Sequence, residues 1–248
     1  MLKRIGVIFL VVTLALVGIA MFNINGRQVD PKEYFSDPQT IALAEAMMAG
    51  DTGKMAELVA QGADPNAQGM DGMSLLEWEM LRDGHSAMRE LLRLGADPNL
   101  LGWHDSTPMH LAAQYLNETY LKLMLEHGGD ADVVDGKMGR TPIFSALSSR
   151  RPDNIRLLLD NGATLDFADR DGVRPLKLAA SINDFQHVLD FLRRGADPRA
   201  VDNIGTTFQT SLFRSDPALL NADALGARNA IIAFLEAEGI PLDPNARR

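Results

Sequence analysis

The sequence predicts an all-α solenoid of about six helix-turn-helix repeats, and two features of the chain lead to this prediction. The first is a turn sequence, Gly62-Ala63-Asp64-Pro65-Asn66, which returns at Gly95, Gly128, Gly162 and Gly195 in steps of 33, 33, 34 and 33 residues. The second is a pair of apolar segments between successive turns, one rich in Ala and one rich in Leu. Repeats of this length bury their apolar faces by stacking on their neighbours.

Each repeat opens with a turn-rich segment, called the finger here, and then a short first helix. Thr107-Pro108 and Thr141-Pro142 mark two of these helix starts. Threonine is a favoured N-cap residue, and proline suits the first helical position because its missing N–H would be unpaired there anyway.

The second helix of each repeat is Leu-rich, as in Leu121-Lys122-Leu123-Met124-Leu125, and it ends at the turn glycine. A glycine at that point suits the left-handed conformation that ends many helices. The Asp, Pro and Asn residues that follow favour a turn. A last, degenerate copy of the turn begins at Gly239, 44 residues after Gly195.

Together these motifs resemble the ankyrin repeat over residues 37 to 243. Thr107-Pro108-Met109-His110-Leu111-Ala112-Ala113 matches the Thr-Pro-Leu-His core of that family with one conservative change, and Thr141-Pro142-Ile143 keeps half of it. The resemblance implies that His110 is a structural residue that hydrogen-bonds neighbouring backbone. His85 lies where the family often has a structural histidine before the second helix.

The repeats are predicted to fill residues 37–248. Helices near residues 38–48 and 52–60 form an N-terminal capping repeat without a finger, and the sixth repeat carries an insertion of about 11 residues within Ser215–Ala227. Residues 23–36 are polar and are interpreted as a spacer.

Residues 1–22 form an export segment. Lys3 and Arg4 precede 18 uncharged residues, Ile5–Phe22, a run just long enough to cross a thin bilayer. An uncleaved signal anchor is favoured over a signal peptide cut after Ala20, because no polar region precedes the cut site. A buried N-terminal helix is the remaining interpretation. Residues 5–22 would thus hold the protein in the inner membrane with its repeats in the periplasm, whereas cleavage would leave it soluble there.

Composition excludes several classes of function. The 33 acidic and 24 basic residues give a net charge of −9, which disfavours nucleic acid as a partner. The clusters around Arg150-Arg151 and Arg193-Arg194 are interpreted as solvated helix ends. The chain has no cysteine, and its histidines and carboxylates match no catalytic, metal or phosphate-binding motif. We therefore expect no enzyme activity, no cofactor, no metal and no small-molecule substrate.

With these classes disfavoured, the surface of the repeats is the expected site of function. The resemblance implies that fingers and first helices line a concave face where another protein docks. Trp103 is the most informative residue there, because tryptophan is enriched in binding hot spots. It could instead fold back on the next finger. The predicted partner-binding residues are Met70, Met73, Trp103, His104, Gln114, Tyr115, Met138, Arg140, Arg170, Asp171, Val173, Ser181, Ile182, Asn203 and Ile204.

The sequence thus predicts an exported, non-catalytic protein-binding module. Exported bacterial ankyrin proteins, which the chain resembles, include immunity proteins that occlude a secreted toxin such as a phospholipase. An acidic concave face with aromatic tips would suit a basic or apolar partner. The alternative is a membrane-tethered scaffold for an envelope enzyme.

Overall fold

A computed structural model describes residues 30–82 and 84–244, and these residues form twelve α-helices and no β-strand. The helices make six consecutive pairs, one for each predicted repeat, so the all-α solenoid of six repeats is confirmed. The helices are α1 (Pro38–Ala49), α2 (Thr52–Ala60), α3 (Leu75–Leu81), α4 (His85–Arg93), α5 (Pro108–Gln114), α6 (Thr119–Glu126), α7 (Pro142–Ser148), α8 (Pro152–Asp160), α9 (Pro175–Ser181), α10 (Phe185–Arg193), α11 (Phe208–Leu212) and α12 (Ala222–Ala237).

Helix α5 begins as its sequence predicts. Thr107 is the N-cap residue with an extended backbone, and its hydroxyl accepts the backbone N–H of His110. Pro108 takes the first helical position, where the missing N–H leaves nothing unpaired.

Thr141 departs from the predicted capping role. It holds the N-cap position before Pro142, but its side chain makes no capping bond, and its Oγ1 is buried without a partner among the described residues. In α5 the equivalent hydroxyl lies 2.8 Å from Nδ1 of His110. Phe144 replaces that histidine in α7 and offers the hydroxyl no polar atom.

The core is one apolar cluster that runs through all six repeats. Alanine pairs in the first helices, such as Ala112-Ala113 and Ala179-Ala180, are fully buried, which lets neighbouring helices approach closely. Trp78 fills the core of repeat 2 with a large side chain. Its helix, α3, begins with a reciprocal capping box between Ser74 and Glu77.

Asn66 and Asn99 join successive repeats through their side-chain amides. Asn66 Nδ2 donates to Gly95 O at 3.1 Å and its Oδ1 accepts the Asp97 amide at 2.7 Å. Asn99 repeats this arrangement one repeat later, with Gly128 O at 2.9 Å and the Asp130 amide at 2.7 Å. The turns that reveal the repeat in the sequence therefore also fix the spacing between repeats.

The folded unit begins before the predicted boundary at residue 37. Pro31–Glu33 form a turn of 3-10 helix, and Phe35 is buried with its ring 5.7 Å from that of Trp78 in an edge-to-face contact. Tyr34 O accepts the Met70 amide at 2.7 Å. This bond matches those that connect later fingers, so repeat 1 has a finger-like segment where the sequence predicted only a spacer.

The insertion in repeat 6 lies between α11 and α12 and includes a 3-10 turn, Pro217–Leu219. Arg228 of α12 is buried beneath it. Its Nη1 donates to Ser215 O at 2.8 Å, and its guanidinium lies 5.1 Å from the Phe213 ring. These contacts attach the insertion to the second helix.

The predicted export segment, residues 1–22, and most of the predicted spacer lie outside the described residues. Within residues 30–82 and 84–244, no helix is long and apolar enough to cross a membrane.

Candidate partner-binding face

The finger tips form one connected row. The Met70 amide donates to Tyr34 O, Gly136 to Asp105 O at 2.7 Å and Asn203 to Asp171 O at 2.9 Å. Between repeats 4 and 5 the Arg170 amide donates to Met138 O at 2.8 Å. Between repeats 2 and 3 the bond is a side-chain one, from Gln68 Nε2 to Leu101 O at 2.6 Å. Because neighbouring fingers are bonded in these ways, the predicted tip residues are held together on one side of the solenoid. We call this side, with the first helices beside it, the finger face.

The predicted residues differ in accessibility. Met70, His104, Arg170, Asp171, Asn203 and Ile204 are exposed, and Ile204 at the last tip is 82% exposed. The half-buried residues are Trp103, Gln114, Tyr115, Met138, Arg140, Val173, Ser181 and Ile182.

Met73 is a correction to the predicted surface, because its side chain is only 3% exposed and belongs to the core. It directly precedes the N-cap Ser74 of α3. An apolar residue at that position commonly packs against the fourth helical residue, which here is the buried Trp78. Met73 therefore cannot contact a partner.

Trp103 is half-buried, and its described contacts are with its own finger and with repeat 2. Its side chain packs partly against the core, and its ring lies 4.7 Å from that of His104. Its backbone N–H donates to the Glu77 carboxylate at 3.2 Å, which fixes the tip of the finger to repeat 2. The indole is thus held in place while part of it stays open to solvent.

Tyr115 and Gln114 are bound into the structure. The Tyr115 hydroxyl donates to Met80 O at 2.7 Å, and its ring meets Tyr120 edge-on at 5.0 Å. Gln114 Nε2 donates to His110 O, and Gln114 O accepts from Arg151 Nε at 2.7 Å. Both residues therefore support the first helix as well as its surface.

His110 has the structural role that the motif implies. It is buried, and its ring lies 2.7 Å from Arg140 O through Nε2 and 2.8 Å from the Thr107 hydroxyl through Nδ1. Burial lowers the pKa of His110. The neutral ring suits both bonds, with Nε2 donating to the carbonyl and Nδ1 accepting from the hydroxyl.

Arg140, predicted to bind a partner, is largely engaged within the protein. Its Nε donates to the buried Asp169 carboxylate at 2.9 Å, and its guanidinium lies 5.5 Å from the Phe144 ring. This ion pair joins the fingers of repeats 4 and 5.

Sequence reasoning missed several accessible side chains. Leu101, Val134 and Val201 are exposed and hold the same finger position in repeats 3, 4 and 6, so the repeat spacing alone could have identified them. Arg150 and Arg214, beyond the first helices, were also not chosen. Both arginines bond to the backbone of repeat 5, a contact that the sequence of one repeat cannot predict.

A histidine–aspartate pair lies beside a cavity in the described part of the chain. The described residues contain no cluster of three or more histidine, aspartate or glutamate side chains able to hold a metal ion. His187 Nδ1 lies 2.7 Å from Asp184 Oδ2, beside a cavity of about 370 Å³ that Arg150, Asn183 and Asn221 help to line. The cavity presents no cysteine or serine to this pair.

Comparison with known proteins agrees with the architecture. The family model described as ankyrin repeats matches in three copies, over residues 76–169 and 121–202, which together cover about half of the chain. The chain belongs to the ankyrin-repeat family. Members of this family are typically non-catalytic protein-interaction modules.

Two relatives differ greatly in how much of their length is shared. Protein PhlB of Serratia liquefaciens is 33% identical over 185 residues, which cover 73% of this chain and 80% of PhlB. The human neurogenic locus notch homolog protein 1 is 39% identical over 100 residues, which cover 40% of this chain but 4% of that protein.

Two crystal structures share the fold. The ankyrin repeat domain of Bcl-3 superposes with a TM-score of 0.66 at 21% identity, covering 88% of this chain and 96% of that domain. The ankyrin repeat protein EF0377 gives a TM-score of 0.63 at 23% identity, covering 78% of this chain and 97% of that protein.

Proposed function

We propose that this ankyrin protein is exported across the bacterial inner membrane and binds one partner protein through its finger face. The best concrete candidate for that role is an immunity protein that neutralises a secreted toxin, for example a phospholipase effector. In the proposed form, residues 5–22 anchor the chain in the inner membrane and the repeats lie in the periplasm.

The observation that carries the proposal is the connected row of finger tips. Hydrogen bonds between repeats, from backbone amides at most junctions and through the Gln68 and Glu77 side chains between repeats 2 and 3, fix the tips before any partner arrives, which lowers the ordering cost of binding. Trp103 and Ile204 present apolar surface along this row. Partly exposed aromatic side chains on a rigid support are typical of interface hot spots.

Two further observations support export in a bacterium. The uncharged run Ile5–Phe22 follows Lys3 and Arg4, as in a signal anchor. The similarity to PhlB, a bacterial protein, extends over most of both chains.

The fold also limits how far such an anchor could lie from the repeats. An anchor ending at Phe22 would be separated by eight residues from Pro31–Glu33, the 3-10 turn of repeat 1. Eight residues span at most about 28 Å. An anchored form would thus keep repeat 1 close to the membrane surface.

The alternative is a membrane-tethered scaffold or assembly factor for an envelope enzyme, and the short tether favours it equally. The two functions differ in affinity and effect. An inhibitor binds one partner tightly and abolishes its activity, whereas a scaffold leaves the activity intact.

The first test is a pull-down from solubilised membranes of the source bacterium, with the tag at the C-terminus and mass spectrometry of bait and prey. The bait mass shows whether residues 1–20 are retained. One stoichiometric toxin or lipase supports the immunity role if the complex is inactive. Several substoichiometric envelope proteins with unchanged activity would replace that role with the scaffold.

We predict that Trp103→Ala weakens binding of the captured partner by more than about 2 kcal/mol, because it removes a rigid aromatic anchor. Titration calorimetry measures the change, and circular dichroism checks that the fold persists. Lys122→Ala, an exposed change on α6 of the same repeat, should leave the affinity unaltered.

Since Trp103 also packs on the core, Ile204→Ser provides a second variant at a tip that is almost fully exposed. Unchanged affinity in both variants would rule out the finger tips as the docking surface.

A further inference from the structure

Charge is unevenly distributed along the finger face. In repeats 2 and 3, the fingers, first helices and following loops (residues 67–84 and 100–118) contain six acidic residues and one basic residue. The corresponding segments of repeats 4 to 6 (residues 133–151, 167–184 and 200–216) contain six acidic and eight basic residues. The first set of segments (the acidic half) is thus net acidic and the second (the basic half) net basic, within a protein of net charge −9. Glu77 and Glu79 of the acidic set are buried, so the acids that its described residues present to solvent are Asp71, Asp105 and Glu118.

Two cations of the basic half meet at the C-terminal end of α9. Arg150 Nη2 reaches forward from repeat 4 and donates to Ile182 O at 2.8 Å. Arg214 Nη2 reaches back from repeat 6 and donates to Ser181 O at 3.3 Å. The two guanidinium groups therefore bind adjacent carbonyls, where the helix dipole also favours positive charge.

A second pair of cations lies at the finger tips. The Arg170 guanidinium donates to the carbonyl of Lys137, and both side chains are exposed. A helix of seven residues, such as α7 or α9, is about 10 Å long. The tip pair (Lys137 and Arg170) thus lies before the first helices and the loop pair (Arg150 and Arg214) at their C-terminal ends, so about one helix length separates them.

The first helices between the two pairs carry several small polar residues. On α7 and in the loop after it, Ser145, Ser148 and Ser149 are at least partly exposed, and Ser181 at the end of α9 is half-buried. Arg174 at the N-cap of α9, and Lys177 and Leu178 within it, are larger and half-buried. We call this surface, with Lys137, Arg150, Arg170 and Arg214, the basic groove.

These cations form no direct ion pair among the described residues. The three arginines donate to neutral carbonyl groups. Nearby acids are Asp171 at the tip, Asp216 two residues after Arg214, and Asp184, whose carboxylate is bonded to His187 and is attracted to Arg150 at longer range. Each guanidinium retains N–H donors for a carboxylate from outside.

Arg150 also has an unusual backbone. It has a φ of 53°, the left-handed region that costs most side chains about 1–2 kcal/mol. Asn183 fills the equivalent position in repeat 5 and Gly50 in repeat 1, and both residue types tolerate this conformation better. The fold therefore places an arginine where its own stability would favour asparagine or glycine.

We propose that the basic groove binds an acidic, extended segment of the partner protein. The inference rests on the proposed function, since it names the chemistry of the segment that this part of the finger face receives. It also revises the expected partner: the acidic half of the face suits basic or apolar surface, whereas repeats 4 to 6 suit carboxylates.

The test uses the full chain, purified in detergent, and a fluorescein-labelled decaglutamate peptide, with binding followed by fluorescence anisotropy at low salt. The groove variant combines Arg150→Asn, which suits the backbone, with Arg170→Gln and Arg214→Gln. The control variant combines Arg89→Gln, Arg193→Gln and Arg199→Gln, three exposed arginines outside the groove. Both variants lower the net charge by three.

We expect the groove variant to lose about tenfold or more in affinity and the control variant to lose much less, because charge-assisted hydrogen bonds are local. The melting temperature of Arg150→Asn alone should not fall. Equal losses in the two variants would show that long-range charge explains the binding. That result, or no binding of the peptide by the wild type, would overturn the proposal that the basic groove binds an acidic segment.

Failure here can be separated from failure of the proposed function. If the captured partner binds the groove variant normally but loses affinity for Trp103→Ala, binding through the finger face is supported. The proposal that the basic groove binds an acidic segment is then wrong. Loss of partner affinity in the groove variant alone would support the groove.

Discussion

One position in the first helix joins repeats 2, 3 and 5 to the repeat that follows, whereas in repeat 4 it is the apolar Phe144. His110 fills it in repeat 3, Glu77 in repeat 2 and Lys177 in repeat 5. His110 bonds to Arg140 O, Glu77 accepts the Trp103 amide, and Lys177 donates to Asp202 and Thr206 of the next finger. Different side chains thus perform one structural task, the attachment of the following finger.

Each of these choices depends on a partner residue 25 to 30 positions away. Where Glu77 supplies a carboxylate, the next finger has Gly102, and a Cβ there would lie 2.5 Å from Glu77 Oε2. Where Lys177 supplies a cation, the next finger has Asp202. The motif predicts His110 because the family repeats it. It cannot predict the other pairs, since they exist only between repeats.

The buried carboxylate of Glu79 is expected to make the stability of the protein depend on pH. This carboxylate is buried in α3 beside Arg82, with Oε2 2.8 Å from Nη1. Burial raises the pKa of Glu79 from 4.5 to about 7, more than Arg82 lowers it. The folded protein therefore holds a proton that the unfolded chain releases between these two values.

The free energy of unfolding contributed by Glu79 should fall as the pH rises from about 4.5 to about 7, by at most on the order of 3 kcal/mol, and stay constant above that. Urea unfolding across this pH range measures the effect. Glu79→Gln should remove this slope, whereas the exposed change Glu126→Gln should keep it. Parallel curves for wild type and Glu79→Gln would contradict the raised pKa.

At the scale of elements, the segment 30–36 shows where local patterns mislead. Its polar residues predict a spacer, yet Pro31 and Phe35 are buried and Tyr34 O joins the row of finger bonds. The segment has no Thr-Pro start and no turn glycine before it. Trp78, which the repeat pattern does not explain, turns out to be the residue against which Phe35 packs.

Phe35→Ala should lower the free energy of unfolding by about 3 kcal/mol or more, because it leaves a cavity against Trp78. Phe35→Leu should cost less, since it keeps most of the apolar volume. Urea titration followed by Trp fluorescence measures both. A loss below about 0.5 kcal/mol for Phe35→Ala would mean that the segment is not part of the folded unit.

At the scale of the whole molecule, the sequence predicted the repeat number, the helix order and the turn positions, because each follows from a pattern repeated about every 33 residues. The accessible surface was harder to predict. Met73 and Ile204 both lie in fingers, yet one is buried and the other 82% exposed. The exposure of a finger residue depends on contacts with the neighbouring repeat, and these contacts cannot be predicted from the repeat spacing.

The division of the finger face into an acidic and a basic half is likewise a property of the assembled solenoid. Arg150 and Arg214 lie 64 positions apart in the chain, and stacking brings them to adjacent carbonyls of α9. A partner that contacts the whole face would need complementary charge along its length, which gives specificity as well as affinity.

Amide hydrogen exchange of the captured complex, compared with the free protein, would show whether this ankyrin protein binds its partner through the finger face. We expect slower exchange in the fingers and first helices of repeats 3 to 6, including the Trp103 and Arg170 tips, and little change in α6, α8 and α10. Protection confined to those second helices would show that the partner docks elsewhere.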